Sequence, residues 1–204
     1  MKVVVVGLGS MGKRRIRLMK QYDSTLEIIG VDSQEKRREE VREQFSMTSY
    51  ESLSDAIEQE GPQCAFVCTS PLSHRNIILQ LLKAGLHIFT EINLVEDGYD
   101  EYRKLRGKEQ VLFLSSTFLY RKDIQHIISE VGGHKVNYIY HSGQYLPDWH
   151  PWENFKDFFV NEKRTNGCRE ILAIEMPWLV KCFGDVVDIK VEKDNISQLP
   201  LGYP

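Results

Sequence analysis

The stretch Met1-Lys2-Val3-Val4-Val5-Val6-Gly7-Leu8-Gly9-Ser10-Met11-Gly12 decides the fold, read together with Leu26-Glu27-Ile28-Ile29-Gly30-Val31-Asp32 downstream. Four consecutive valines form a short, β-branched, uninterrupted run, which suits a strand buried on both faces of a parallel sheet. Three glycines at the spacing G-x-G-x-x-G sit between that run and a basic amphipathic segment that predicts a helix. Gly7 suits a tight turn, Gly9 lets backbone approach a pyrophosphate, and Gly12 lets helix and strand pack closely. With Ser10 and Met11 opening the helix, unpaired N–H groups and the positive end of its dipole face the phosphates. Asp32 lies 20 residues beyond Gly12 at the tip of the second run, where a carboxylate accepts hydrogen bonds from ribose hydroxyls. The same carboxylate repels a 2′-phosphate, so the expected cofactor is NAD rather than NADP, a preference that Lys36 and Arg37 blur by their closeness in sequence.

Working outward, strands and helices alternate through the first 120 residues. Helices are predicted over Met11–Tyr22, with Met11, Ile16 and Met19 facing inward, over Gln34–Phe45, and briefly over Leu53–Ile57. Further buried strands are predicted at Cys64–Cys68, His87–Thr90 and Val111–Ser116. The strand at Cys64 runs into Thr69-Ser70-Pro71-Leu72-Ser73-His74, with Ser73 as N-cap of a helix that stops at Gly85. This alternation predicts an α/β fold: a Rossmann-type, doubly wound parallel sheet whose ligand crevice lies at the strand C-terminal ends. After Tyr120 the pattern changes, so residues 1–120 are read as a dinucleotide-binding domain and 121–204 as the start of another. The second part is expected to hold a helix over Asp123–Val131 and a half-exposed strand over Val136–Tyr145. A helix over Cys168–Phe183, broken or kinked at Pro177, a strand over Val186–Val191 and a frayed tail complete it.

Composition narrows the class. Of 204 residues, 42% are apolar and 27% charged, as in ordinary soluble globular chains. A net charge of −3 gives no reason to expect nucleic acid or an anionic membrane as partner. No apolar run approaches the ~20 residues that span a bilayer, and Met1 leads directly into a strand, leaving no room for a signal peptide. Cys64, Cys68, Cys168 and Cys182 include no C-x-x-C pair and no zinc spacing, and Cys64 and Cys68 fall on one strand face as small buried apolar groups. A cytoplasmic, reduced protein without a metal site is expected.

The ordered motifs G-L-G-S-M-G-K-R-R, V-D, T-S-P-L-S-H and T-E-I-N-L resemble the Gfo/Idh/MocA oxidoreductases, which include glucose–fructose oxidoreductase and inositol dehydrogenase. By that resemblance Thr69, Ser70, Pro71 and His74 line the dinucleotide and Glu91 sits beside the nicotinamide ribose. It also implies a partial α/β substrate domain on a mainly antiparallel sheet, a sugar or cyclitol as substrate, and a dimer contact. The Q-Y-L-P-D-W-H-P-W-E turn is similar to members acting on bacterial surface sugars. Two family features are absent. Ile92 occupies the position of the lysine in the family's E-K-P motif, and no histidine lies on the helix before Trp178, where Glu175 or Glu170 is the nearest polar group. A carboxylate of raised pKa can serve as general base; Glu175 as a surface or salt-bridged residue is the alternative. Only 84 residues follow Tyr120, so either the chain is a fragment or a partner subunit completes the sheet.

The remaining candidates each carry two readings. Tyr120 and Arg121 fall at the hinge, where Arg121 can bind an anion bidentately or form an interdomain salt bridge. Arg14 and Arg15 can approach a phosphate or form a solvated face. Trp149 and Trp152 can stack on a sugar ring or pack their loop, and His141 and His150 are proton carriers or structural residues. Ser115 and Ser116 lack a G-x-S-x-G context, so no hydrolase triad is supported. The expectation is an NAD(P)-dependent oxidoreductase acting on a sugar or sugar-derivative hydroxyl or ketone, with a homo-oligomeric assembly. The alternatives are a family member that binds the dinucleotide without catalysis, as sensor or assembly subunit, and a truncated inactive product.

Overall fold

The computed structural model describes residues 1–143, 145–149, 154–192, 194 and 199. They divide into two compact units, Met1–Ser115 and Ser116–Pro204.

The first unit alternates strand and helix: β1 Lys2–Val6, α1 Ser10–Tyr22, β2 Glu27–Val31, α2 Glu35–Phe45, β3 Ser49–Tyr50, α3 Leu53–Glu60, β4 Cys64–Val67, α4 His74–Lys83, β5 His87–Thr90, α5 Tyr99–Leu105 and β6 Leu112–Leu114. Every pairing is parallel, and the order across the sheet is β3-β2-β1-β4-β5-β6. Because side chains alternate along a strand, β1 feeds two cores at once. Val4 and Val6 join Ile29, Val31, Ala65, Val67 and Ile88 beneath residues of α3, α4 and α5, including Ala56, Ile78 and Tyr102. Val3 and Val5 join Leu8, Ile28 and Met47 beneath Ile16 and Met19 of α1 and Val41 of α2. Two apolar layers on one sheet define the doubly wound fold expected from the sequence. The order reverses between β1 and β4, so their C-terminal ends diverge into different connections and leave a crevice there.

Several local expectations are corrected. The two-residue strand β3 pairs Gly30 with Ser49 and Val31 with Tyr50; it is too short to carry an alternation signal. Met11 faces outward at 36% exposure, and the inner face of α1 is Gly12, Ile16 and Met19. The helix phase places the close contact at a glycine, leaving no room there for a methionine. Helix α3 runs on to Glu60, capped by Ser52, whose hydroxyl accepts from the Asp55 N–H, and closed by Gly61 at φ +57°.

Among the described residues of the second unit the regular elements are helices and turns. A 3₁₀ turn at Thr117–Tyr120 precedes α6 Lys122–Val131, a short α7 Leu146–Trp149, three 3₁₀ turns between Phe155 and Thr165, and α8 Gly167–Phe183. The expected mainly antiparallel sheet has no strand among the described residues. Alternation supplies a face, but a strand also needs a neighbour to take up its backbone N–H and C=O groups. Residues around Tyr138 pack their rings on α8 instead: Tyr138 meets Trp178 edge-on at 5.5 Å and Phe183 at 5.5 Å. Val186, Val187, Ile189 and Val191 are exposed. The helix over Pro177 is not broken: α8 is continuous, although Pro177 offers no N–H to the carbonyl one turn earlier. His150, Trp152 and residues 200–204 lie outside the described residues.

Candidate dinucleotide site

At the end of β1 the chain turns at Gly7, whose φ of +92° strains any residue with a side chain. Gly7 N–H donates to the Val31 carbonyl at 2.8 Å, and a Cβ on it would stand 2.8 Å from the Cys68 carbonyl group. The tips of β1, β2 and β4 therefore meet at this residue. Gly12 is tighter: its Cβ would lie 1.9 Å from the Gly7 carbonyl oxygen. Gly9 is different. Its Cβ would meet nothing nearer than the Arg37 guanidinium at 3.9 Å, and Ser10 and Met11 beside it are exposed. Helix α1 has Gly9 as its N-cap, with no side-chain cap and no acid in its first turn. An open glycine bend beneath uncapped N–H groups fits an anionic diphosphate.

Asp32 points at this bend. One carboxylate oxygen, Oδ2, accepts the Leu8 N–H at 2.8 Å, and Oδ1 accepts the Gln34 N–H at 2.9 Å. Arg37 Nη1 stands 3.5 Å from Oδ2. A carboxylate offers about four lone-pair sites, so a ribose hydroxyl still finds an acceptor beside these bonds. The Asp32–Leu8 tether was not read from the sequence, and Gly30 explains its geometry: a Cβ there would stand 2.9 Å from Leu8 Cδ1.

Across the crevice, Thr69 and Ser70 leave β4, and Pro71–Ser73 forms a 3₁₀ turn before α4. Ser73 holds the N-cap position without capping α4; its hydroxyl turns back, 2.8 Å from Thr69 Oγ1 and 2.7 Å from the Ser70 carbonyl oxygen. Pro71 is buried and Ser70 exposed. His74 is 2% exposed, so its ring supports this turn from behind. Nε2 lies 3.0 Å from the Thr69 carbonyl oxygen and Nδ1 2.5 Å from Asn93 Oδ1. Burial lowers the imidazole pKa and favours the neutral ring, against the raising effect of Asn93, Thr69 and Glu91. A neutral ring has one N–H, so it cannot donate to both oxygens. Turning the Asn93 amide over lets its NH₂ donate to Nδ1 and gives a partner to Asn93 Nδ2, which otherwise has none.

Glu91, at the tip of β5, is buried and held bidentately by Arg15 of α1, through Nε to Oε1 and Nη2 to Oε2, the latter at 3.0 Å. The Arg15 guanidinium also lies 4.8 Å from the centre of the Phe89 ring, and the Glu91 carboxylate raises its pKa against the opposing effect of burial. Arg15 is thus committed across the crevice to Glu91, while Arg14 is exposed. Half-buried Cys68 sits beside this pair, and removal of its thiol from water pushes the thiol pKa up, so it stays a thiol.

The Gfo/Idh/MocA family model, "Oxidoreductase family, NAD-binding Rossmann fold", matches residues 1–111. The chain belongs to this family. It is 38% identical to biliverdin reductase A of Mus musculus over 93 residues, 44% of this chain and 29% of that protein. It is 27% identical to myo-inositol 2-dehydrogenase of Thermotoga maritima over 92 residues, 45% of this chain and 28% of that protein. The chain thus spans under a third of the length of these curated relatives. Among solved structures, the WlbA dehydrogenase of Bordetella pertussis, in complex with NADH and UDP-GlcNAcA, superposes with a TM-score of 0.60 at 18% identity, covering 65% of this chain and 43% of that one. At that identity the likeness speaks for the fold.

Within this Gfo/Idh/MocA chain, Ile92 is half-buried and brings no titratable group beside Glu91. The other sequence-expected catalytic residues lie in the second unit. Tyr120 is 68% exposed. Arg121 pairs bidentately with Asp123, with distances of 3.0 and 2.5 Å, and covers the Phe118 ring at 4.7 Å. Glu175 is buried, and both of its oxygens are taken: Tyr140 Oη donates to Oε1 at 2.9 Å and Trp178 Nε1 to Oε2 at 2.5 Å. Glu175 thereby anchors Tyr140 to Trp178, and of the two readings of this residue the engaged one matches these contacts. Trp149 packs toward the start of α8, where a Cβ on Gly167 would meet its ring at 3.1 Å, which fits loop packing better than an open sugar platform. His141 is exposed. Among the described residues no cluster of three or more His, Cys, Asp or Glu forms a metal site, and no helix is long and apolar enough to cross a membrane.

Proposed function

We propose that residues Gly7 to Gly12 with Asp32 hold an NAD(P) dinucleotide, and that the protein acts as an oxidoreductase on a hydroxyl or ketone of a sugar or sugar derivative. The observation that carries this reading is the uncapped start of α1 over an open Gly9, tied to Asp32 through the Leu8 N–H. The α1 amides would bind the diphosphate, Asp32 would accept from the adenosine ribose, and Thr69, Ser70 and Pro71 would wall the opposite side. When bound, the nicotinamide supplies or accepts a hydride. Glu91, held by Arg15, would orient the adjoining ribose. Sugar chemistry is supported by the family and by the inositol dehydrogenase relative.

Calorimetric titration with NADH tests the binding half: saturable binding is expected, and its absence at millimolar NADH refutes it. A panel of sugars, cyclitols and nucleotide sugars, followed by NADH absorbance, tests the rest. A second reading, a dinucleotide-binding member without hydride chemistry, draws on Ile92 and on the engaged Glu175. A dinucleotide that binds, with NAD⁺ reduced and NADH oxidised by no member of the panel, would favour it.

A further inference from the structure

We propose that Asn93 is a positioning residue for the dinucleotide: through the ring of His74 it ties the loop that carries Glu91 to the wall formed by residues 69–73. The proposal rests on the dinucleotide reading above. Two separate connections are joined by this tie. Glu91, Ile92 and Asn93 follow the end of β5, whereas Thr69 to Ser73 follow the end of β4. Between them stands His74, 2% exposed, with Nδ1 2.5 Å from Asn93 Oδ1 and Nε2 3.0 Å from the Thr69 carbonyl oxygen. Thr90 Oγ1 lies 3.3 Å from Nδ1, but its proton goes to the Glu91 carbonyl at 3.0 Å.

Counting protons gives the tie a direction. A neutral imidazole has one donor and one acceptor, and the Thr69 carbonyl can only accept, so the ring's N–H belongs on Nε2. Nδ1 then needs a donor. The Asn93 amide supplies it once turned over, which also gives the buried Nδ2 a place to donate. Amide, ring and carbonyl thus form a directed chain from one loop to the other. At its far end Thr69 is held in a braced turn: the Ser73 hydroxyl lies 2.8 Å from Thr69 Oγ1 and 2.7 Å from the Ser70 carbonyl oxygen. At its near end the loop carries Glu91, which Arg15 of α1 engages. The other titratable groups around the ring are Tyr99 of α5, against the same amide, and the Cys68 thiol beside Glu91 and Arg15.

The test joins long-range proton–nitrogen correlation spectra of the imidazoles to calorimetric titration with NADH, on the full 204-residue chain. Wild type is compared with Asn93→Leu and Asn93→Asp; His74→Gln identifies the His74 signals, and far-UV circular dichroism checks folding. Wild type should show His74 as the Nε2–H tautomer at about pH 7.5, and an Nδ1–H tautomer or an imidazolium there overturns the proposal. Asn93→Leu keeps the volume, removes the donor and should weaken NADH by about tenfold. A folded Asn93→Leu protein within about threefold of wild type overturns the proposal. Asn93→Asp reverses the polarity and carries the test if the leucine variant does not fold. Its carboxylate favours the imidazolium and raises the His74 pKa. Above that pKa the remaining proton stays on Nδ1, so Nε2 turns a lone pair on the Thr69 carbonyl and the tie opens. NADH affinity of Asn93→Asp should therefore fall by about fivefold or more from about pH 6.5 to about pH 9, where wild type changes by less than about twofold. Parallel profiles overturn the proposal. Wild type that binds no NADH removes the dinucleotide reading and this proposal with it, whereas NADH binding with the wrong tautomer removes this proposal alone.

Discussion

Replacing Gly12 by alanine puts a methyl carbon 1.9 Å from the Gly7 carbonyl oxygen, where contacts under 3.0 Å essentially never occur. The obstacle is backbone, so no rotamer change relieves it. Either α1 or the bend must retreat by about 1.1 Å, the difference between those two distances. Retreat of α1 opens the packing of Ile16 and Met19 on Val3, Val5 and Leu8. Overpacking of this kind costs about 1–3 kcal/mol, and alanine's better helix propensity returns at most about 1 kcal/mol. A net loss of roughly 1–2 kcal/mol is expected, with NADH binding weakened further because the α1 amides move. Gly107→Ala is the control, since its Cβ would make only ordinary contacts at 3.8 Å and beyond. Urea denaturation followed by circular dichroism reads the stability and calorimetry the binding. A Gly12→Ala protein with the stability and NADH affinity of the Gly107→Ala control would refute the packing argument.

Asp32→Ala strips acceptors from the Leu8 and Gln34 N–H groups and should cost roughly 1–3 kcal/mol of stability, with NADH losing more affinity than NADPH; unchanged denaturation would mean the tether is not formed. Because burial holds the folded-state pKa of His74 below its usual value, the unfolded chain takes up a proton first as pH drops. Stability should therefore be full above about pH 6.5 and decline below it, by at most about 1.4 kcal/mol per unit. His74→Gln should flatten that slope in denaturation curves at three pH values, and an unaltered slope would assign the dependence to other groups. Glu175→Gln should lower stability by roughly 1–3 kcal/mol and shift the tryptophan emission, since Trp178 donates to it; unchanged emission and stability would argue against the anchoring role.

What the sequence made legible was local. Val3–Val6, the glycine spacing and the run closed by Asp32 carry strand, turn and helix signals within 32 contiguous residues, and the parallel sheet follows from their repetition. Pairings between distant positions were not legible. Arg15 and Glu91 are 76 residues apart, and read alone Arg15 passes equally well for a phosphate ligand. Tyr140 lies 35 residues from Glu175, so nothing near the carboxylate in sequence chose between an available base and an engaged one. The Val136–Tyr145 segment had the alternation of a strand, yet alternation records only which side is apolar. It cannot say whether that side meets another strand or, as Tyr138 does, the rings of a helix.

The Leu8 amide gives the bend a built-in gauge. Its proton is held by a carboxylate that an incoming ribose would also engage through its remaining lone pairs, so the ligand's arrival braces the acceptor that holds the loop. Deuterium uptake at that one peptide position should slow when a dinucleotide binds, by a factor that tracks occupancy. Empty and loaded molecules could then be told apart in a mixture without any turnover at all.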